Sequence, residues 1–204
     1  MKNIWLSIYF LVLIWSAIEP KDYFIWSLEA APAIIGFAVM AVTYKKFPLT
    51  RLLYTLILLH CIILMIGAHY TYAEVPLFDF IKPFFGFERN NYDKVGHFAQ
   101  GFVPAIIARE IFIRKGIIVS SHWRNFLIIC VCLAFSAFYE LIEWGLAIAV
   151  GESAEAFLST QGYVWDTQTD MALALLGAIS ALALLTRFHD KQMNSTASHF
   201  TRTK

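Results

Sequence analysis

Long apolar runs separated by short polar segments make up most of the chain. A helix that crosses a bilayer needs about 20 mostly apolar residues, and six runs approach that length. The runs lie near Ile4–Ile18, Trp26–Tyr44, Leu52–Tyr72, Gly96–Ile113, Phe126–Val150 and Met171–Thr186. Their apolar residues are continuous rather than alternating, which is typical of buried or membrane helices. The pattern therefore predicts an all-α, polytopic membrane protein built as a bundle of six transmembrane helices.

The composition supports this class. Hydrophobic residues make up 59% of the 204 residues and charged residues 15%, whereas soluble domains have roughly 45–50% and 25%. A soluble fold with this composition would expose large apolar patches. The three cysteines lie inside apolar runs, which excludes a secreted disulfide scaffold, and the net charge of +1 without a basic tract excludes a nucleic-acid binder. The lipid bilayer is the predicted partner, and the oligomeric state stays open.

The distribution of basic residues predicts the orientation. Cytoplasmic loops of membrane proteins carry an excess of Lys and Arg. With six spans both termini share one side, and twelve of the 16 Lys and Arg residues fall there. Most acidic residues, including Glu29, fall in or beside the loops of the opposite side. We therefore predict a multi-pass protein of the bacterial inner membrane with both termini in the cytoplasm.

The predicted organisation is one membrane domain followed by a short tail. The six-helix domain covers residues 1–187, with outer loops near 73–95 and 151–170, and residues 188–204 form a flexible cytoplasmic tail. Long ordered loops tend to carry function. Both long loops lie on the outer side, which directs the search for a site to the periplasmic face.

Several polar residues lie inside or directly beside the apolar runs, where a charge is expensive. On the fourth run, Asp93, His97 and Gln100 have the spacing of one helical face. On the fifth run, Glu140 and Glu143 are three residues apart and also share a face. The predicted orientation places these groups at the outer end of the bundle, together with His69, Lys94, Asp166 and Asp170.

Carboxylates and imidazoles that converge at one depth are typical ligands of divalent cations. We interpret six residues as candidate metal ligands: Asp93, His97, Glu140, Glu143, Asp166 and Asp170. His97 and Glu140 are also the candidate catalytic acid–base groups, and His69, Lys94 and Gln100 are supporting residues. The alternative is structural: Asp93 caps a helix, and one of the two glutamates is protonated while the other is ion-paired.

The other polar groups in the runs receive structural interpretations. Arg109 and Glu110 close the fourth run at the inner surface, where their side chains are expected to extend to the interface. His60 lies alone in mid-span and is interpreted as a structural hydrogen bonder. His189 falls in the predicted tail and is interpreted as incidental to function.

Five stretches carry a family resemblance: FPLT at 47–50, HYTY at 69–72, DKVGHFAQGFVP at 93–104, YELIEW at 139–144, and the segment 160–170. In these stretches, and over nearly its whole length, the chain resembles the uncharacterised bacterial inner-membrane proteins of the YjdF type. It is more distantly similar to the VanZ-like membrane proteins, through Asp93, Lys94, His97, Glu140, Asp170 and Gly177. Where the VanZ-like pattern has Gln and Asn, this chain has Glu143 and Ala174. The resemblance implies a shared fold and polar site but supplies no reaction.

Three functions follow from these observations. The first is a metal-assisted, membrane-embedded enzyme that acts on a lipid or cell-envelope precursor at the periplasmic face. The second is a non-catalytic membrane factor that binds a lipid headgroup or a protein partner. The third is an ion- or proton-coupled transporter, against which the inner half of the bundle is expected to lack matching polar groups. Bound metal discriminates the first from the second, and polar groups through the full membrane depth favour the third.

Overall fold

The computed structural model describes residues 2–150 and 160–201, and its regular structure in those ranges is helical. Seven α-helices are present there: α1 (Lys2–Ala17), α2 (Tyr23–Thr43), α3 (Arg51–Tyr70), α4 (Pro76–Ile81), α5 (Tyr92–Arg114), α6 (Ser121–Val150) and α7 (Asp166–Thr201). The 3₁₀ turns Tyr72–Glu74 and Lys82–Phe85 flank the short helix α4. The predicted all-α class is therefore confirmed.

Four helices in the described part of the chain are long and apolar enough to cross a membrane. These segments are Tyr23–Thr43, Arg51–Tyr70, Ser121–Ala149 and Asp166–Ser195. Helix α1 is apolar but has only 16 residues, which is about 24 Å of helix. Helix α5 has 23 residues, but charged residues at both of its ends lower its hydropathy. The count of six spans and the orientation of the termini stay predictions.

Helix α5 lies at the centre of the bundle and packs against α3, α6 and α7. Eleven of its 23 residues are buried. Around it the core contains fully buried residues from four helices: Leu53, Ala105, Ile106, Ile128, Cys132, Ala178 and Ala181. A helix that is enclosed by other helices contacts little lipid. This position explains how α5 accommodates more charge than its neighbours.

Two glycines bring α5 and α7 into backbone contact. A Cβ atom at Gly101 would overlap the carbonyl oxygen of Ala174, and one at Gly177 would overlap the carbonyl oxygen of Phe98. Small residues allow this close approach between membrane helices. The contact fixes the register of the two helices, and thereby fixes which residue of α7 faces the polar stripe of α5.

The segment after residue 187 is helical as far as the structure describes it. Helix α7 continues without a break to Thr201. His189 on this extension is fully buried, so the first turn after residue 187 packs against the bundle, and the flexible tail at residues 188–204 stays a prediction. Residues 151–159 of the second outer loop and residues 202–204 lie outside the described residues.

Candidate functional site

The imidazole of His97 lies at the centre of a buried polar group that three helices build. Its Nε2 atom lies 3.3 Å from Asp93 Oδ1 and 3.9 Å from Asp170 Oδ2. One ligand atom from each of these three residues fits within a mutual separation of 4.8 Å. None of the three side chains is more than 10% exposed. Asp93 is one turn before His97 on α5, and the α5–α7 contact brings Asp170 to them.

The other ring nitrogen of His97 faces a different pair of oxygens. Its Nδ1 atom lies 3.3 Å from Gln100 Oε1 and 3.8 Å from Glu140 Oε1 on α6. Because both groups are acceptors, a proton on Nδ1 suits this side of the ring. The Nε2 lone pair then points towards two carboxylates, so a proton or a cation is needed between them. We call Asp93, His97, Glu140 and Asp170 the His97 cluster.

Several acceptors in and beside the His97 cluster lack donors. Within the described residues, Glu140 Oε1, Asp170 Oδ1 and the hydroxyl of Ser136 are buried without a hydrogen-bond partner. Ser136 lies one turn before Glu140 on α6. An unsatisfied buried polar group costs about 1–3 kcal/mol, and more when it is charged. The arrangement therefore lacks positive charge and hydrogen-bond donors, which a bound cation or added protons would supply.

The structure places Asp166 beside this cluster in an ion pair. Arg89 Nη1 contacts Asp166 Oδ1 and also donates to the carbonyl oxygen of Thr160 at 3.1 Å. The two side chains of the ion pair are only 11% and 7% exposed. Asp166 therefore has a protein counter-charge, unlike Asp170 one turn later. Sequence reasoning did not identify Arg89, which lies in a loop.

Two of the predicted supporting residues make their described contacts away from His97. Lys94 Nζ lies 5.7 Å from the centre of the Tyr163 ring. His69 Nδ1 lies 3.3 Å from the carbonyl oxygen of Ser16 at the end of α1. The His69 ring also lies 4.5 Å from the ring of Trp15. His69 therefore connects α3 to α1, and Gln100 is the supporting residue that reaches the His97 cluster.

A cavity of about 90 Å³ lies beside His97 and Asp93. Helices α2, α3, α5 and α6 and the ring of Tyr72 form its walls. Glu143 lines this cavity, whereas Glu140 faces His97 Nδ1. The two glutamates share a helical face, as their spacing predicts, but of these two only Glu143 lines the cavity.

Glu29 is a site residue that sequence reasoning missed. Its side chain lines the same cavity, is 2% exposed, and has no hydrogen-bond partner at either carboxylate oxygen among the described residues. Helix α2 begins at Tyr23 because Asp22 caps it, accepting from the backbone N–H groups of Phe24 and Ile25. Glu29 is thus nearly two turns inside a membrane helix. A charge three residues into the second apolar run was the signal that could have found it.

A second buried polar group lies at the other end of α5. Arg109 Nη1 donates to His189 Nδ1 at 3.0 Å, and His189 Nε2–H donates to Glu110 Oε2 at 2.8 Å. Arg109, Glu110 and His189 are at most 2% exposed. The interpretation of Arg109 and Glu110 as groups that extend to the surface is therefore wrong, and His189 has a structural role; its interpretation as incidental to function stays a prediction. These side chains point into the interface between α5 and α7, and we call the three residues the Glu110 cluster.

The acceptors of Glu110 are fully used. Thr50 donates to Glu110 through its hydroxyl at 2.8 Å, and Arg114 donates at 2.7 Å. The Thr50 hydroxyl also accepts from the backbone N–H of Leu53 and so caps α3. Arg114 additionally donates to the carbonyl oxygen of Pro48 at 2.6 Å. The FPLT stretch is thus a structural element that joins the α2–α3 loop to the Glu110 cluster.

These observations define a helical membrane protein in which the central helix carries a buried polar cluster near each end. The chain belongs to the family described as "Predicted membrane protein (DUF2238)", whose model matches residues 1–191. It is 50% identical over 183 residues to the "Inner membrane protein YjdF" of Escherichia coli (strain K12), covering 90% of this chain and 88% of that protein. No solved structure matches the chain. The predicted family resemblance and inner-membrane location are confirmed.

Proposed function

We propose that this inner-membrane protein binds a divalent cation between α5 and α7 and acts there as a metal-assisted enzyme on a lipid or cell-envelope precursor. The supporting observation is the buried group of Asp93, His97 and Asp170, whose ligand atoms lie within 4.8 Å of one another. The unpartnered oxygens Asp170 Oδ1 and Glu140 Oε1 add to this support. A site built only for structure would have paired these oxygens with donors.

The two distances from His97 to the aspartates suit one ion. Metal bonds to imidazole nitrogen and carboxylate oxygen are about 2.0–2.2 Å long, so two ligand atoms of one ion lie up to about 4 Å apart. The distances of 3.3 Å and 3.9 Å from His97 Nε2 to the two aspartates lie within that limit. On the far side of the ring, Gln100 Oε1 would accept from Nδ1–H at 3.3 Å and orient the imidazole.

We assign different roles to the two candidate catalytic residues. His97 directs Nε2 at both aspartates, which suits a ligand rather than a proton acceptor. Glu140 is buried and has an oxygen free of hydrogen bonds, which suits a general base. A cation held by three protein ligands retains open positions, where it would polarise a phosphoryl or acyl oxygen and activate water.

We further propose the six-span topology with both termini in the cytoplasm and the His97 cluster at the periplasmic face. The 23 residues of α5 extend about 35 Å, enough to cross a bilayer with its charges near both interfaces. Reporter fusions at Lys46 and Gly116 should report the cytoplasm, and fusions at Phe87 and Ser159 the periplasm. A pair that reports the wrong side defeats this topology.

The test of the metal site is elemental analysis of the detergent-purified full chain. Wild type should retain a divalent metal, and Asp170→Asn should lose it without unfolding. Asp79→Asn is the matched control, since Asp79 is an exposed aspartate on α4 that pairs with Lys82 at 3.7 Å. Wild type without metal, with a melting temperature insensitive to chelator and to added metal, would end the proposal.

Transport is less well supported than binding or catalysis. The Glu110 cluster contradicts the expectation that the inner half lacks polar groups, so the distribution of polar groups between the two halves does not exclude a transporter. However, the α5 segment 101–108, GFVPAIIA, carries no polar side chain. It separates the two clusters by about 12 Å of apolar helix. The side chains of α5 therefore provide no polar path between them.

A further inference from the structure

We infer that the cavity lined by Glu29 and Glu143 binds a small organic ammonium group. This inference rests on the proposed function and deepens it: the substrate of the proposed enzyme would carry a protonated amine, which binds in the cavity beside the metal site. The pocket is lined by the carboxylates of Glu29, Asp93 and Glu143, the rings of Tyr72 and Tyr139, the imidazoles of His60 and His97, the amide of Gln100, and a short apolar wall. Carboxylates beside aromatic rings are the chemistry that recognises an ammonium ion.

The carboxylates around His97 and the adjacent cavity leave room for more than one bound cation. Five carboxylates either contact its ring or line the adjacent cavity: Asp93, Glu140, Asp170, Glu29 and Glu143. Among the described residues, the basic groups at this site are the imidazoles of His97 and His60, because Arg89 is engaged by Asp166. Buried charges are paired or bind ions. A divalent ion at Asp93, His97 and Asp170 would compensate that side and leave the cavity carboxylates without a counter-charge.

Glu29 is the group that most needs a cationic donor. It is 2% exposed, and neither oxygen makes a hydrogen bond within ordinary limits in the described part of the chain. The backbone N–H of Tyr72 faces the carboxylate, but one neutral donor does not balance a buried charge. An ammonium group would supply both the positive charge and several N–H donors.

The size and walls of the cavity favour an organic cation over a second metal ion. About 90 Å³ is several times the roughly 10–15 Å³ that a water molecule needs. Tyr72, Tyr139 and Leu64 contribute aromatic and aliphatic surface. Among the described residues, the group with metal-ligand spacing is Asp93, His97 and Asp170, and it does not include Glu29.

The Tyr72 wall is held rigidly in place. A Cβ atom at Gly67 on α3 would lie 2.5 Å from the Tyr72 ring, and one at Gly96 on α5 would lie 2.9 Å from it. The ring is therefore inserted between two helices at positions where only glycine leaves room. A preorganised aromatic wall lowers the entropy cost of binding a cation against it.

A protonated amine can come from an aminophospholipid headgroup or from a free soluble amine. The shared chemistry is an alkylammonium ion, and two experiments separate the sources. In the first, full-length protein in detergent is titrated with ethanolamine hydrochloride against potassium chloride of equal ionic strength. In the second, lipids retained by protein extracted from nanodiscs with equal phosphatidylethanolamine and phosphatidylglycerol are quantified by mass spectrometry.

Glu29→Gln is the decisive variant, because it removes the charge and keeps the shape. Wild type should bind the amine, and Glu29→Gln should bind it at least roughly tenfold more weakly, the loss typical of a charged hydrogen bond. Glu88→Gln, at an exposed glutamate, should bind as wild type. If Glu29→Gln does not fold, Glu143→Gln serves in its place. Retention of phosphatidylethanolamine indicates the lipid source, and ethanolamine binding alone indicates a soluble amine.

Two results would overturn the inference: no preference for either amine in wild type, or equal binding by wild type and Glu29→Gln. The metal content of the same samples separates this failure from failure of the proposed function. Retained metal without amine binding ends only the ammonium site. Amine binding without metal ends only the proposed metal-assisted enzyme.

Discussion

The two polar clusters on α5 are built from similar residues, yet they differ in how completely they are paired. Each is buried, and each joins α5 to α7 through a histidine and a carboxylate. In the Glu110 cluster, Thr50, Arg114 and His189 all donate to one carboxylate, and the buried atom without a hydrogen-bond partner among the described residues is a donor, Arg109 Nε. In the His97 cluster, Asp170 and Glu140 each keep a buried oxygen without a donor. A carboxylate whose oxygens all accept hydrogen bonds from the protein stabilises the fold, whereas buried carboxylate oxygens without donors can bind a ligand.

The charges of the two clusters differ in the same way. Around Glu110, the cations Arg109 and Arg114 face the carboxylates of Glu110 and Asp190, with a distance of 2.7 Å in each ion pair. Around His97, three carboxylates face one imidazole. In the first cluster, side chains of the protein neutralise the negative charge. In the second cluster, the negative charge is neutralised only when protons or a cation bind. Isosteric substitutions in the two clusters should therefore have opposite consequences.

The largest effect is expected from Glu110→Gln. The amide would leave Arg114 without its ion pair and place an N–H₂ group against donors that now point at the carboxylate. Breaking a buried ion pair costs about 3–5 kcal/mol, so the free energy of unfolding in detergent should fall by about that amount. Thermal melts give the measurement, with Glu88→Gln as the exposed control. A loss below about 1 kcal/mol would show that the Glu110 cluster is not structural.

The next largest effect is expected when metal is removed from wild type. A ligand at about 100 times its dissociation constant stabilises the folded state by about 2.7 kcal/mol. Chelator should lower the melting temperature of wild type accordingly and leave that of Asp170→Asn unchanged. Glu110→Gln should keep the full chelator response, since its cluster is separate. If chelator lowers the melting temperature of Asp170→Asn as much as that of wild type, the metal binds outside the His97 cluster.

A smaller loss is expected from Gly101→Ala, which tests the contact that positions Asp170. The new methyl group would meet the carbonyl oxygen of Ala174 and force α5 and α7 apart. Overpacking of this kind costs about 1–3 kcal/mol, and metal affinity should fall with it. Gly145→Ala on α6 is the matched control, because a Cβ there has nothing within 4 Å. Unchanged metal affinity in Gly101→Ala would mean that the helix register does not set the site.

Local spacing made one half of the His97 cluster predictable. Asp93, His97 and Gln100 lie on one face of a single helix, and a period of 3.6 residues is readable from sequence. Asp170 and Glu140 were placed at the same depth by the rule for basic loops, not by contact. Their distances to His97 depend on the approach at Gly101 and Gly177, which no periodicity reveals.

The Glu110 cluster could not be predicted in this way. Its central hydrogen bond joins residues 79 positions apart in the chain, and His189 lies beyond the last apolar run. Hydropathy predicts that the membrane domain ends where the last apolar run ends. Helix α7 continues past that point, where His189 forms hydrogen bonds with Arg109 and Glu110. Glu29 was missed for a related reason: acidic residues near a loop were counted as loop residues, although the Asp22 cap begins α2 well before Glu29.

The smallest change in stability is expected from Glu140→Gln, and it gives the sharpest contrast with Glu110→Gln. In chelator, the substitution removes a charge that is buried without a donor at Oε1, so the free energy of unfolding should stay within about 0.5 kcal/mol of wild type or rise. With metal present, the fold should persist while metal affinity and function decline, because the negative charge of Glu140 favours the cation and Glu140 is the proposed general base. Melts with and without chelator, read beside metal content, measure both. A loss of several kcal/mol in chelator would instead place Glu140 in a closed structural network and remove the difference between the two ends of α5.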